Sequence, residues 1–235
     1  MILCDLPYGT TACKWDCVLP FNELWAQYER IIKDNGAIVL FGSEPFSSRL
    51  RVSNLRIYRY DWVWKKQRGS GFQNANKMPL KNHENICVFY KKLPTYNPQF
   101  TQGKPYAIKG GVRTNGCPTL SDRLLNKNEK ENLSNIKNRS SIASVVRAET
   151  INEGKRYPLT VLEFDKENNK YHPTQKPVAL LEYLIKTYTN EGEIVLDNCM
   201  GSGSTGVACK NTSRNFIGIE LNDEYFEIAK ARIGI

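Results

Sequence analysis

The stretch from Val195 to Gly206 reads VLDNCMGSGSTG. A short apolar β-rich run ends on Asp197, turns through glycines at 201, 203 and 206, and enters a helix-forming segment. Nine residues further, NFIGIEL (215–221) is a second strand that closes on Glu220. Strand, glycine turn, helix, strand and acid form the nucleoside-binding half of a doubly wound α/β sheet. The glycines allow a ligand to reach the backbone where a Cβ would stand in the way. Asp197, Gly201, Ser202, Gly203 and Ser204 line that turn, and Glu220 is placed to accept hydrogen bonds from ribose hydroxyls. The pattern alone serves a nicotinamide dinucleotide and S-adenosylmethionine equally, since both carry an adenosine. The competing reading is a tight turn needed only for packing.

Outward from this core, the same grammar recurs. HPTQKPVALLEYLIKTYT (172–189) starts a helix at Pro177, with Val178, Leu181, Leu184 and Tyr188 on one face. NDEYFEIAKARI (222–233) is a final helix capped by Asn222 or Asp223. At the other end, Met1–Cys4 is a short buried strand. LPFNELWAQYERIIKDNG (19–36) carries Leu24, Trp25, Tyr28, Ile31 and Ile32 at helical spacing. AIVLFG (37–42) reads as a buried, parallel strand, and Pro45–Asn54 as a second helix. IYRYDWVWKK (57–66) and ENICVFYKK (84–92) are β-rich. Between them and the glycine half, residues 95–165 change character: turn-rich first, then polar and Asn/Lys-rich, with little that reads as a continuation of the sheet. We therefore divide the chain into 1–94, an inserted region with a flexible stretch at 95–165, and 166–235.

The second decisive motif is Asp5-Leu6-Pro7-Tyr8-Gly9. Asp5 stands at the carboxyl end of a strand, where open α/β sheets place their ligands. An exocyclic amino group of adenine or cytosine is a poor nucleophile because its lone pair is delocalised into the ring. Acceptors for both of its hydrogens favour a tetrahedral, nucleophilic nitrogen. The Asp5 carboxylate and the Leu6 carbonyl can supply them, Pro7 stiffens the turn, and Tyr8 can stack on the base. Alone, the motif is also an ordinary surface turn.

Taken together, the two motifs resemble the amino DNA methyltransferases, the N6-adenine and N4-cytosine enzymes, in the permuted order where the catalytic motif precedes the cofactor motif. Asp5–Tyr8 is similar to that family's Asp-Pro-Pro-Tyr, HPTQKP (172–177) to its segment before the cofactor half, and the glycine loop to its S-adenosylmethionine loop. DWVWKK and HENICVFYKK resemble the strands flanking its target-base pocket. The resemblance implies a Rossmann-like methyltransferase sheet, circularly permuted, with an inserted target-recognition region. It implies S-adenosylmethionine as cofactor, with Thr174, Gln175 and Lys176 holding the methionine end and Lys176 pairing with its carboxylate. It implies double-stranded DNA as substrate and admits a homodimer, for which the residues give no support of their own. Two departures stand out. Leu6 replaces the usual first proline, which predicts a looser loop. Asp5 comes too early for the strand and helix that usually precede it, which predicts a sheet one edge strand short on the cofactor side, in a chain that starts internally or is a shortened relative.

Composition agrees with a polyanionic partner: 33 Lys and Arg against 24 Asp and Glu give a net charge of +9 over 235 residues. Lys65, Lys66 and Arg68, with Phe72 beyond them, form one candidate DNA contact, and Lys104, Lys109, Arg113 and Arg123 of the insert another. Seven scattered cysteines without a C-x-x-C pair speak against zinc spacing and disulfides, so no metal is expected and the cytoplasm is the simplest location. No export signal and no membrane span are expected from the sequence. Cytosine C5 chemistry needs a cysteine after proline, which is lacking, and a P-loop needs a lysine that Gly203-Ser204-Thr205 does not have. The acid that opens Asp-x-Pro-Tyr leans toward adenine N6. The rivals are N4-cytosine transfer, a DNA-binding remnant with impaired cofactor binding, and a nicotinamide oxidoreductase, which would leave Asp5–Tyr8 and HPTQKP unexplained.

Overall fold

The structure, a computed structural model, describes residues 1–10, 13, 16–108, 150–167, 171–172 and 174–235, together with the backbone of 111–113 and 145–147. The chain falls into two compact units, Met1–Gln99 with Pro158–Ile235, and Phe100–Tyr157.

The first unit is built on a seven-stranded sheet. Its strands are β1 (Ile2–Cys4), β2 (Ile38–Gly42), β3 (Tyr58–Ser70), β4 (Lys81–Phe89), β11 (Val161–Glu163), β12 (Ile194–Asp197) and β13 (Asn215–Gly218). They lie in the order β11-β3-β4-β2-β1-β12-β13. All run in one direction except β4, which is antiparallel to both β2 and β3. AIVLFG is thus parallel to β1 on one side and antiparallel to β4 on the other. Among the described residues β13 forms the edge.

Alternation along the strands explains the two buried faces. Ile2, Cys4, Ile38, Leu40, Cys87 and Phe89 face α1 (Phe21–Ile31) and α2 (Phe46–Ser53), meeting Leu24, Trp25, Tyr28, Phe46 and Leu50. Leu3, Val39, Phe41, Ile86 and Val88 face the other way, onto Leu180, Leu181, Leu184 and Ile185 of α3 (Val178–Tyr188) and Ala208 and Cys209 of α4 (Ser204–Asn211). Each of these leucines contributes roughly 1.5–3 kcal/mol by burial. α5 (Asp223–Ile233) begins at Asn222, whose side chain accepts from the Tyr225 amide, and ends at Gly234.

The second unit, Phe100–Tyr157, is narrower than the stretch 95–165 set apart in the sequence. β11 belongs to the main sheet, with Val161, Leu162 and Glu163 opposite Val63, Trp64 and Lys65. Three residues with one buried side chain, Leu162, give little periodicity to read; their place is set by hydrogen bonding to a strand about a hundred residues away. The second unit folds back on itself as three antiparallel pairs: β5 (Thr101–Gln102) with β10 (Lys155–Arg156), β6 (Tyr106–Ile108) with β9 (Thr150–Asn152), and β7 (Gly111–Arg113) with β8 (Val145–Arg147). It is fastened by the Arg156 guanidinium over the Tyr106 ring and by Lys155 Nζ 3.7 Å from the centre of the Phe100 ring.

Candidate active site

The carboxyl ends of β1 and β12 open into one cleft of about 670 Å³. Asp5 and Pro7 enter it from β1, Asp197 to Ser202 with Ser204 and Thr205 from β12, Glu220 from β13, and Thr174 to Lys176 from the segment before α3. The two motifs, nearly 200 residues apart in sequence, share this cleft because β1 and β12 pair as parallel neighbours, Ile2 opposite Leu196.

The Asp5–Gly9 turn is held from three sides. Leu6 is 3 % exposed and packs among the residues of the α1/α2 face. The leucine that stands in place of the usual proline anchors the turn through its buried side chain. Gly9, at φ +66°, donates its amide to Asp16 Oδ1 at 2.8 Å, and the Thr10 amide donates to Oδ2 at 2.9 Å. Asp16 was not legible as a site residue, since an acid eleven places downstream carries no motif. Tyr8 stacks on Phe46, with centroids 4.9 Å apart, and donates its hydroxyl to Asp5 Oδ1 at 2.6 Å. Its phenol is pushed well above the ordinary value by burial and by the Asp5 charge.

The other Asp5 oxygen, Oδ2, accepts from Lys176 Nζ at 2.5 Å. The resemblance has Lys176 meeting a cofactor carboxylate. In the structure its ammonium lies between Asp5 and Glu84, with Glu84 Oε2 at 3.3 Å. A nearly buried ammonium requires such partners. Burial works to lower the Lys176 pKa, but the two carboxylates outweigh it and hold it above the ordinary value. Burial raises the Asp5 pKa, against the pull of Lys176.

The glycine loop divides its labour. Asp197 accepts from Thr205 Oγ1 at 2.6 Å and from the Cys199 amide at 3.1 Å, and burial raises its pKa to about 6. Tyr28 of α1 donates to Asn198 Oδ1 at 2.6 Å, and Arg232 of α5 donates to the Ser202 carbonyl and hydroxyl and to Ser204 Oγ. A Cβ on Gly203 would stand 2.8 Å from Ala229 Cβ, and one on Gly206 would stand 2.3 Å from Ile233 Cδ1. These two glycines serve packing against α5. Gly201, at φ +50°, has the His172 ring as its nearest neighbour, at 3.7 Å, and lines the cleft. Glu220 accepts from the Gly201 and Asn222 amides at 2.8 and 2.9 Å, which fixes its carboxylate at the rim with lone pairs to spare. An adenosine-bearing cofactor fits this set: an accessible glycine backbone and a fixed acid beside it.

Gln175 lines the cleft but bonds to Glu167 and to the Tyr171 amide, while Glu167 also caps α3 through the Val178 amide. Thr174 Oγ1 lies 3.0 Å from His172 Nδ1, and the His172 ring packs edge-on to Tyr225.

The basic candidates separate. Lys66 is mostly buried in an ion pair with Glu84, and Lys65 pairs with Glu163 at 2.7 Å. Arg68 is exposed, and Phe72, in the short 3₁₀ turn (Phe72–Asn74) that links β3 to β4, is 73 % exposed. Lys104 is exposed on the second unit, Arg113 lies in β7, and Lys109 and Arg123 fall outside the described residues. Among the described residues no helix is long and apolar enough to cross a membrane.

The profile of the DNA methylase family (N6_N4_Mtase) matches residues 1–231. The type II methyltransferase M.HpaI of Haemophilus parainfluenzae is 29 % identical over 248 residues, spanning 99 % of this chain and 67 % of that protein. The crystal structure of the M1.HpyAVI–SAM complex superposes with a TM-score of 0.59 at 26 % identity, covering 98 % of this chain and 87 % of the other. The PvuII DNA methyltransferase, described as cytosine-N4-specific, gives a TM-score of 0.60 at 15 % identity over 98 % and 78 %, a likeness of fold.

Proposed function

As the chain belongs to the N6/N4 DNA methylase family, we propose that it transfers a methyl group from S-adenosylmethionine to the N6 amino group of an adenine flipped out of double-stranded DNA. The observation that carries this reading is the shared cleft: the Asp5 carboxylate and the glycine loop open into one space.

When bound, S-adenosylmethionine supplies an electrophilic methyl group on a sulfonium. On the protein side, Glu220 holds ribose hydroxyls and the Gly201 backbone admits the nucleoside. Asp5 and the Leu6 carbonyl accept the two amino hydrogens and turn the nitrogen lone pair toward the methyl donor. The Tyr8 hydroxyl fixes the Asp5 rotamer through Oδ1, and the face of Tyr8 turned away from Phe46 stacks on the base. That stacking, about 1–3 kcal/mol, offsets part of the few kcal/mol spent on flipping. No covalent enzyme intermediate is needed. Arg68 and Lys104 meet phosphates, and Phe72 meets the vacated stack.

The acid at position 5 supports adenine over cytosine. The test is methyl-labelled S-adenosylmethionine with unmethylated mixed-sequence DNA, followed by nucleoside chromatography. Label in N6-methyladenine is expected, and label in N4-methylcytosine would overturn the choice of base. Asp5→Ala should abolish transfer and leave DNA binding largely intact, and unchanged turnover would remove Asp5 from the mechanism.

A further inference from the structure

The reading above leaves Glu84 without a task. It lies on β4, 9 % exposed, and faces the interior behind the catalytic turn. A buried carboxylate at that position costs stability unless it is paired. Its Oε1 pairs with Lys66 of β3. Its Oε2 makes no well-formed hydrogen bond and looks onto Lys176 Nζ at 3.3 Å. The same ammonium donates to Asp5 Oδ2 at 2.5 Å. The four groups form a row, Asp5–Lys176–Glu84–Lys66, of two carboxylates and two ammoniums, neutral as a whole.

We infer that Glu84 is a positioning residue for methyl transfer: it shares the Lys176 ammonium with Asp5 and so keeps the Asp5 carboxylate a strong acceptor for the target amino group. This rests on the reading of Asp5 as that acceptor. If Lys176 had Asp5 as its sole counter-ion, it would hold Oδ2 tightly and weaken it as a base. With Glu84 on its far side, the ammonium has a second place to direct its three hydrogens. When an amino group approaches Asp5, Lys176 can lean toward the open Oε2 without becoming an unpaired buried charge. Lys66 balances Glu84 from outside and keeps the row neutral.

The electrostatics of the surroundings point the same way. Asp5 is faced by Lys176 and Glu84, by Tyr8 of its own turn, and more remotely by His172 and Asp197. After burial and Lys176, the Glu84 charge is the next influence on Asp5, and it raises its pKa. Removing the Glu84 charge should therefore lower the Asp5 pKa, and removing the Lys66 charge should raise it.

The experiment uses the full chain without cofactor or DNA. The Asp5 carboxyl carbon is followed by ¹³C NMR across pH, its resonance identified by its loss in Asp5→Asn. In Glu84→Gln the apparent pKa of Asp5 should fall by about one unit, and in Lys66→Gln it should rise by a similar amount. Turnover is then measured against pH. The plateau rate of Glu84→Gln should drop about tenfold with little change in KM for S-adenosylmethionine, and the acid limb should move down in Glu84→Gln and up in Lys66→Gln. Glu84→Asp, which keeps the charge, should recover part of the rate. An Asp5 titration indifferent to both substitutions, or moved the same way by both, overturns the inference. If Glu84→Gln does not fold, the sign of the Lys66→Gln shift decides it alone. Turnover surviving in Asp5→Asn would instead refute the amino-acceptor reading while leaving the NMR result standing.

Discussion

Replacing Gly203 and Gly201 with alanine, one at a time, separates the two roles of the cofactor loop. At Gly203 the alanine meets two costs. Its φ of +78° is a left-handed conformation that costs a non-glycine residue roughly 1–2 kcal/mol. Its Cβ would also lie 2.8 Å from Ala229 Cβ and 3.0 Å from Ala229 Cα. Neither atom sits at the end of a flexible side chain, so α5 must shift, and overpacking of this kind costs about 1–3 kcal/mol. The sum is about 2–5 kcal/mol, a large share of the roughly 5–15 kcal/mol available to a domain. It corresponds to a fall in Tm of about 4–20 °C. At Gly201 the conformational cost is the same kind, at φ +50°, but the nearest atom is 3.7 Å away, so the destabilisation should stop at about 1–2 kcal/mol. The methyl would instead stand in the cleft, and S-adenosylmethionine affinity should fall about tenfold or more, at least 1.4 kcal/mol. Urea unfolding and calorimetric titration with S-adenosylmethionine measure both quantities on both variants. Equal stability for Gly203→Ala and the parent protein, or undiminished cofactor affinity in Gly201→Ala, would refute this division.

Three further outcomes follow from the site. Asp16→Ala leaves the Gly9 and Thr10 amides without their acceptor and should cost about 1–3 kcal/mol, with kcat lowered more than KM because the catalytic turn loses its support; equal kcat in steady-state assays would show that Asp16 is dispensable. Asp197 has a folded pKa of about 6, above its unfolded value of 3.8, so the folded state binds the extra proton and the Asp197 contribution to stability falls as pH rises from about 4 to about 6, by roughly 3 kcal/mol in all. Asp197→Asn should remove that slope, which unfolding at pH 4.5 and pH 7 will reveal, and an unaltered difference between the two pH values would contradict it. Phe72→Ala, on an exposed turn, should change stability by less than about 0.5 kcal/mol yet slow methylation of duplex DNA, and duplex turnover equal to that of the parent would remove Phe72 from the DNA interface.

What the sequence determined by itself was everything written within a few residues. The glycine loop, its strand and helix, the Glu220 strand end and the Asp5–Tyr8 turn are local grammar: apolar periodicity, positive-φ positions and a proline. So are the two-sided strands, since alternation along Ile38–Gly42 and Lys81–Phe89 places successive side chains on opposite faces wherever those strands pair. Tertiary structure decided the partners. Glu84 and Lys176 lie far apart in the chain, and an isolated Glu in a β-rich run gives no sign that it will meet a lysine from the segment before a distant helix. Lys66 reads as a phosphate anchor until pairing of β3 with β4 buries it against Glu84. Gly203 and Gly206 read as ligand glycines until α5 packs on them, and Val161–Glu163 is too short to announce itself as a strand. Local propensity is set by neighbours in sequence. Ion pairing and close packing are set by neighbours in space, and these appear only once the sheet order brings β1 beside β12 and β3 beside β4.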